Sequence, residues 1–248
     1  MPIGLHLNIT LGRPVLPPEE VPTLVDEHGM FYSPDAITEQ LLKISLDELR
    51  AELRAQAALL LENGIPISHL DYHNHMVVLY TPFYEVVREL AKELGVPVRQ
   101  PVPDSVTGHI EFQGGGGTGA VIWKMIGFAI RHPIAAIRLM PRMTPAAYKR
   151  EAARLKEEGI AAPDVFIDGY FGRASVEQFI EMVRQLPPGV SEVAVHPAVV
   201  DDLLRELDTE YGEARARELE VLLDRRVREA IEEHGVELVS FEFLNGLT

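Results

Sequence analysis

The sequence lacks cysteine and is short of basic residues. Without a thiol it has no thiolate nucleophile, no Cys-ligated zinc and no disulfide, which fits a reducing cytoplasm. Its 23 Lys and Arg against 38 Asp and Glu give a formal net charge of −15, which repels nucleic-acid backbones. A secretory signal is not expected, because Met1 and Pro2 lead directly into Ile3 without a basic region or an apolar core. We therefore expect a cytoplasmic protein whose partner is a neutral or locally selected molecule and not a nucleic acid.

A long hydrophobic run that could span a membrane is also lacking. The apolar stretch 120–140 is interrupted by Lys124 and Arg131, so we expect no transmembrane segment. Residues 112–150 around it contain six basic residues and no acidic one, and they include the Gly-rich run 114–119. That run matches G-x-G-x-x-G, but the acidic residue expected about 20 positions later is missing, so we interpret it as a hinge. The whole segment is predicted to be a basic insertion or flap, with a lid that contacts an anion or a membrane as the alternative.

Apolar residues make up 46% of the 248-residue chain, enough to bury a core. Helices are predicted after the N-caps Ser45 and Ser175, each with Glu or Gln three residues later, and over 81–94, where Gly95 ends the helix. A long charged helix is predicted to end near His234. The predicted strands are 3–9, 67–76, 96–99, 164–168, 192–196 and 236–243. This alternation predicts an α/β fold with a mostly parallel sheet, open or closed into a barrel, and chemistry at the carboxyl ends of the strands.

The densest cluster of chemically active side chains lies between His69 and His75. Alternate residues of a strand share a face, so a strand here puts His69, Asp71, His73 and His75 in one row, about 6 to 7 Å apart. Imidazole and carboxylate groups at this spacing are ligands for a divalent cation. A single histidine is more often a hydrogen-bonded structural residue, but three with an aspartate favour a metal or catalytic site.

Isolated polar residues on other strands are further candidates. His6 lies opposite the apolar face of the first strand, and it reaches the same cleft if strands 3–9 and 67–76 are neighbours. His196 ends a strand before Pro197, a placement suited to an acid or base, although a lone histidine is more often structural. Arg99 follows a short strand and can bind a carboxylate or phosphate, or form a salt bridge.

Several short motifs together resemble the YdjC-like carbohydrate deacetylases, which include chitooligosaccharide and hopanoid-associated deacetylases. The motifs keep their order and spacing through nearly the whole chain. They are Gly4-Leu5-His6-Leu7-Asn8-Ile9-Thr10, Gly12-Arg13-Pro14, Gln56, His69-Leu70-Asp71-x-His73-x-His75, Arg99, Glu192 to His196-Pro197, and Arg217-Glu218. The Gly-rich basic segment has no counterpart in this pattern.

The resemblance implies an irregular β/α barrel related to polysaccharide deacetylases, formed by a single domain over residues 1–248. Family members begin with a strand that carries an Asp-Asp motif, which supplies a metal ligand and the general base. This sequence starts after that strand, so the barrel is expected to be N-terminally incomplete. The uncovered sheet edge that results favours association, and we expect a homodimer.

The activity implied by the resemblance is removal of an acetyl group from an N-acetylated oligosaccharide or glycolipid, with a divalent metal ion, Mg or Zn, as cofactor. His6 and His73 resemble the imidazole ligands of that ion. Asp71 is the nearest substitute for the base, and His196 resembles the acid that protonates the departing amine. Arg99 and His75 are expected on the substrate side.

Two alternatives stay open. Another barrel metallohydrolase, of the amidohydrolase or phosphoesterase type, also uses a His-x-His pair on a strand. The non-enzymatic alternative is a sugar-binding remnant that keeps the cleft without a catalytic base.

Overall fold

The structure is a computed structural model, and it describes most of the chain. The described residues are 2–104, 110, 133, 136–137, 140–142, 144–170, 172, 174–207 and 211–246. The Gly-rich run 114–119 and most of the predicted flap lie outside them. The chain divides into two compact units, of which the first comprises Met1–Pro101, Gly119–Ala162 and Ser240–Thr248, and the second comprises Val102–Thr118 and Pro163–Val239. That the chain is a single domain stays a prediction.

The first unit contains a parallel pair of strands. β1 (Ile3–Leu7) pairs with β2 (Ile67–Tyr72), which confirms that the two predicted strands are neighbours. The alternation of β1 buries Leu5 and Leu7 in the core and leaves His6 exposed, as expected for a strand with one face in a core. On the other side of β2, Leu70 forms a parallel bridge with Val98, so the predicted strand 96–99 contributes a single bridge.

In the part of the first unit that the structure describes, five helices have both ends defined. They are α1 (Pro34–Gln40), α2 (Leu46–Glu62), α3 (Met76–Leu79), α4 (Thr81–Leu94) and α5 (Pro145–Glu157). Short 3-10 turns cover Pro18–Glu20, His73–His75, Met140–Arg142 and Phe241–Gly246. The apolar stripes of α2 and α4 enter one core with the two strands, which fixes both helices behind β1 and β2.

The predicted start of α2 is confirmed, with one difference in its capping. Ser45 Oγ accepts the backbone N–H of Glu48, as an N-cap does. The carboxylate of Glu48 does not return to Ser45, because it accepts the backbone N–H and the hydroxyl of Thr23, both at 2.7 Å. Thr23 in turn accepts the backbone N–H of Ser45 at 2.9 Å, so a neighbouring loop completes the cap.

The second unit contains a shorter parallel pair, β3 (Val165–Ile167) with β4 (Ser191–Val193). Its helices are α6 (Val176–Gln185), α7 (Asp202–Leu207), α8 (Gly212–Leu223) and α9 (Arg225–Glu233). Ser175 caps α6 as predicted. The predicted long charged helix is divided, because Asp224 adopts an extended conformation and caps α9 through a bond from the backbone N–H of Arg226.

The predicted last strand, 236–243, is wrong. Residues 236–240 form neither helix nor strand, and Leu238 and Val239 are exposed. The chain then forms the 3-10 turn Phe241–Gly246, in which Phe241 stacks on the ring of His69. The segment thus ends in a ring contact with His69 in place of the predicted strand.

Both described sheets are parallel, which agrees with the predicted α/β class, while closure into a barrel stays a prediction. Across the described ranges, none of the helices is both long and apolar enough to cross a membrane.

Candidate functional site

The site forms where β1 and β2 end side by side. His6 and Asp71 are register partners in the parallel pair, so their side chains meet on the polar face of the sheet. Nδ1 of His6 lies 3.0 Å from Oδ1 of Asp71. The other carboxylate oxygen, Oδ2, lies 3.1 Å from Nη2 of Arg99. Asp71 therefore joins His6 and Arg99, and the three residues come from three different segments of the chain.

Two hydrogen bonds fix the backbone of Arg99. Its backbone N–H donates to the carbonyl of Leu70 at 2.9 Å, and its carbonyl accepts the hydroxyl of Tyr84 at 3.0 Å. The guanidinium lies 5.5 Å from the centre of the Tyr72 ring, within the range of a cation–π contact. The Arg99 side chain is only 10% exposed, so it supports Asp71 from within the protein.

The charges around Asp71 keep it ionised. Burial alone raises the pKa of a carboxyl, but the hydrogen bond from His6 and the charge of Arg99 outweigh that effect, and the pKa of Asp71 is lowered. An ionised carboxylate only accepts hydrogen bonds, so it is Nδ1 of His6 that donates to Asp71, and Nε2 is directed away from the carboxylate. A carboxylate that fixes the tautomer of a histidine in this way is the usual partner of a metal-ligating imidazole.

His73 lies beside His6, but on a turn and not on the strand. The two rings have their centres 5.5 Å apart and stand at 80° to each other. Burial lowers the pKa of His73, and the nearby His6 lowers it further, which favours the neutral imidazole that a metal ion binds. Nε2 of His73 also lies 2.9 Å from the side-chain amide nitrogen of Asn74.

The predicted strand 67–76 is wrong beyond Tyr72, and this changes the expected row of side chains. His73–His75 form a 3-10 turn in which Asn74 and His75 have positive φ angles of 52° and 55°. The turn points the chain into α3 and ends the alternation. His75 packs edgewise on the Tyr72 ring, with centres 5.9 Å apart, and does not continue a row from Asp71.

His69 is a packing residue in this structure. Its ring stacks on Phe241 with centres 3.8 Å apart, and Nδ1 lies 2.9 Å from Oγ of Ser68. Burial lowers the pKa of His69, which keeps the ring neutral. On its other side the ring lies against Gly4, where an added Cβ would come within 2.3 Å of it. The predicted row of three histidines and one aspartate is therefore not formed. Asp71 meets His6 and Arg99, while the rings of His69 and His75 pack on Phe241 and Tyr72.

Two side chains of α2 fix the loop that follows His6. The Gln56 amide accepts the backbone N–H of Asn8 at 3.0 Å and donates to its carbonyl at 2.7 Å. The buried carboxylate of Glu52 accepts the backbone N–H groups of Val15 and Leu16 at 2.9 and 3.0 Å. Gln56 appeared in the sequence pattern, but Glu52 was missed. Its signal is a carboxylate on the apolar stripe of α2, one turn before Gln56.

The separation of the His6 and His73 rings bears on the metal ion that the resemblance implies. Two imidazoles bound to one ion at about 2.1 Å, with a tetrahedral angle, have ring centres roughly 5 Å apart. The His6 and His73 rings fit that separation. In the part of the chain that the structure describes, no three His, Asp or Glu side chains are placed to hold an ion together. These residues therefore offer an ion two imidazole ligands, and its remaining positions would be filled by water or substrate.

His196 belongs to the second unit. It follows β4 and is exposed, and its backbone N–H donates to Oε2 of Glu218. The guanidinium of Arg215 donates to its carbonyl at 3.4 Å. Glu218 is fully buried, and burial raises its pKa, although the bond from His196 and the charge of Arg215 act in the opposite direction. Glu218 therefore fixes the backbone that carries His196 and the following Pro197.

Comparisons with known proteins agree with these motifs. The model of the family described as YdjC-like protein matches residues 1–233. A carbohydrate deacetylase of Enterococcus faecalis is 26% identical over 98% of this chain and 77% of its own length. A carbohydrate deacetylase of Clostridium beijerinckii is 28% identical over 97% of this chain and 77% of its own. A crystal structure of an Enterococcus faecalis protein proposed to cleave cellobiose phosphate superimposes with a TM-score of 0.73 at 25% identity, over 98% of this chain and 78% of that one.

Proposed function

Because the chain belongs to the YdjC-like protein family, we propose that it is a carbohydrate deacetylase, a hydrolase that cleaves the amide bond of N-acetylated sugars. The relatives named carbohydrate deacetylase, aligned over nearly the whole chain, support this activity. The observation that carries the proposal is the contact of His6 with Asp71 beside the ring of His73. It fixes the imidazole of His6 beside that of His73, where the two rings would hold a single cation.

The cofactor in this proposal is a divalent ion, magnesium or zinc. His6, through Nε2, and His73 are the residues that would hold it. When bound, such an ion polarises the acetamide carbonyl and lowers the pKa of a water molecule. The protein's own contribution is to keep His6 in one tautomer and one orientation, which it does through Asp71.

Asp71 is assigned a positioning role in this proposal, in place of the base role predicted from the sequence. Both of its oxygens are engaged, one by His6 and one by Arg99. Its lowered pKa also makes it a weak acceptor for a proton from water. Arg99 acts on the site through Asp71, since its guanidinium is directed at that carboxylate and not at solvent.

His196 keeps its predicted role as the acid that gives a proton to the leaving amine, which cannot depart as an anion. His75 keeps its predicted place on the substrate side. Replacement of His196 by alanine is expected to lower acetate release strongly while metal binding stays as in the wild type. Acetate release at the wild-type rate would remove His196 from this role.

The proposed function is tested by measuring acetate released from N-acetylglucosamine oligomers. The full chain is assayed after chelation and again after addition of magnesium or zinc, with p-nitrophenyl phosphate as a second substrate. We expect acetate only from the metal-loaded protein and no hydrolysis of the phosphate ester. Phosphate-ester hydrolysis without acetate release would favour the phosphoesterase alternative, and sugar binding without either reaction would favour the binding remnant.

A further inference from the structure

A cavity of the first unit lies apart from the residues of the proposed site. It has a volume of about 520 Å³ and is bordered by the start of α4, the first turns of α5 and the segment 41–46. Its size is within the range of small-molecule sites. None of the residues His6, Asp71, His73 and Arg99 lines it.

One wall of this cavity is aliphatic. Its apolar members lie around the end of α1 and the start of α4, and they are Leu41, Leu42, Ile44, Leu46 and Pro82. Leu41 and Ile44 are buried against the core, while Leu42 is 38% exposed and faces the open side. Such a wall favours a ligand with an aliphatic portion, because burial of that portion removes apolar surface from water.

The acidic groups that line the cavity are already compensated. Nη1 of Arg154 lies 3.0 Å from a carboxylate oxygen of Glu85 and 3.0 Å from one of Glu151. Glu151 also pairs with the buried Arg88, whose Nε lies 3.2 Å away. Arg88 also contacts Glu158, which pairs with Lys92, so three carboxylates and three cations form a connected neutral set between α4 and α5.

Two further arginines give the cavity an excess of positive charge. Arg142 contacts the hydroxyl of Tyr80, and its guanidinium lies 5.5 Å from the centre of that ring. Arg150 lies on α5 with an exposed side chain. Within the described ranges, no carboxylate lies at ion-pair distance from Arg142 or from Arg150. The amino end of α4, which begins at Thr81 in the same wall, adds a partial positive charge.

We propose that this cavity binds an anionic amphiphile, a molecule with a phosphate or carboxylate head and an aliphatic tail. Arg142 and Arg150 hold the head, because guanidinium groups match the geometry of phosphate and carboxylate oxygens. The tail lies along the leucine wall. Both arginines belong to the basic segment 112–150, whose lack of acidic residues the proposed deacetylase reaction does not explain. The proposal is independent of that reaction.

The test is calorimetric titration of the full chain with octyl phosphate, octanoate, inorganic phosphate and octanol. We expect saturable binding of octyl phosphate or octanoate. The ligand that binds with the higher affinity identifies the preferred head group. Inorganic phosphate lacks the tail and octanol lacks the charge, so each is expected to bind at least tenfold more weakly. Absence of saturable binding by both anionic amphiphiles would overturn the proposal, as would inorganic phosphate binding as tightly as octyl phosphate.

Variants locate the binding in this cavity. Arg142→Ala and Arg150→Ala are each expected to weaken binding roughly tenfold, the typical effect of losing one charge-assisted hydrogen bond. Lys149→Ala is the matched control, because Lys149 is the exposed neighbour of Arg150 and does not line the cavity. Arg150 is exposed, so its removal leaves the fold intact, which circular dichroism checks. Wild-type affinity in the Arg142→Ala/Arg150→Ala double variant would contradict the assignment.

Discussion

Nδ1 of His6 lies 3.0 Å from the carboxylate of Asp71, its register partner on the neighbouring parallel strand. The pairing of the two strands thus places an imidazole and a carboxylate in direct contact. Because the register is fixed by the buried alternation of β1, Nδ1 of His6 has a permanent acceptor, and Nε2 is directed away from that carboxylate. Arg99 holds the second oxygen of the same carboxylate and keeps it charged.

Asp71→Asn is expected to weaken divalent-ion binding by about tenfold to a hundredfold, the usual effect of losing a carboxylate behind a metal-ligating histidine. The amide removes the negative charge that Arg99 and His6 share. Ion affinity is measured by calorimetric titration with zinc, and acetate release by the proposed activity assay. Asp47→Asn is the control, since the Asp47 side chain is 94% exposed and lies outside the site. Unchanged affinity in Asp71→Asn would contradict the positioning role.

Gly4→Ala is expected to destabilise the protein by roughly 1 to 3 kcal/mol, as overpacking does. The added Cβ would lie 2.3 Å from the His69 ring, and a shift of that ring would disturb its stacking on Phe241. The measurement is the free energy of unfolding in urea. Gly246→Ala serves as control, because nothing lies within 4 Å of a Cβ at that position. Equal stability of Gly4→Ala and Gly246→Ala would mean that His69 is not held in place.

Glu218→Gln is expected to change how stability depends on pH. Burial raises the pKa of Glu218 above the ordinary value of 4.5, so the folded protein keeps a proton at pH values where the unfolded chain has released it. The free energy of unfolding contributed by this group therefore falls as pH rises from 4.5 through the folded-state pKa. Glutamine cannot ionise, so the variant loses that slope while its amide oxygen still accepts the N–H of His196.

The experiment compares urea unfolding of the wild type and the variant from pH 4.5 upward. Relative to the wild type, Glu218→Gln gains stability with increasing pH. Glu220→Gln, an exposed position on the same helix, supplies the control. Parallel pH profiles for wild type and Glu218→Gln would show that the Glu218 carboxyl is not shifted by burial.

Much of the fold is predictable because its signals are local. The alternation of β1, the cap at Ser45 and the stop at Gly95 each depend on a few adjacent residues, and each is found in the structure. The wrong end of β2 has a different cause. His73 and His75 continue the alternation of the strand, but Asn74, a residue that tolerates positive φ, turns the chain at that point.

The site was predicted in its composition and only partly in its geometry. His6, Asp71 and His73 come together as expected, because the pairing of β1 with β2 is a consequence of two neighbouring strands. His69 was placed among them by the period of the strand, whereas its ring is packed between Gly4 and Phe241. Phe241 is 172 positions away in the sequence, and no local pattern indicates that contact. No local pattern indicates the pairing of Arg99 with Asp71 either, because it depends on the bridge between Leu70 and Val98.

Whether His6 and His73 share one ion is decided by calorimetric titration of the chelated chain with zinc or magnesium, for the wild type and for His73→Ala. His28→Ala is the control, because the His28 side chain is 76% exposed and lies outside the site. We predict that the wild type and His28→Ala bind a stoichiometric ion and that His73→Ala does not. Retention of a stoichiometric ion by His73→Ala at wild-type affinity would contradict the account.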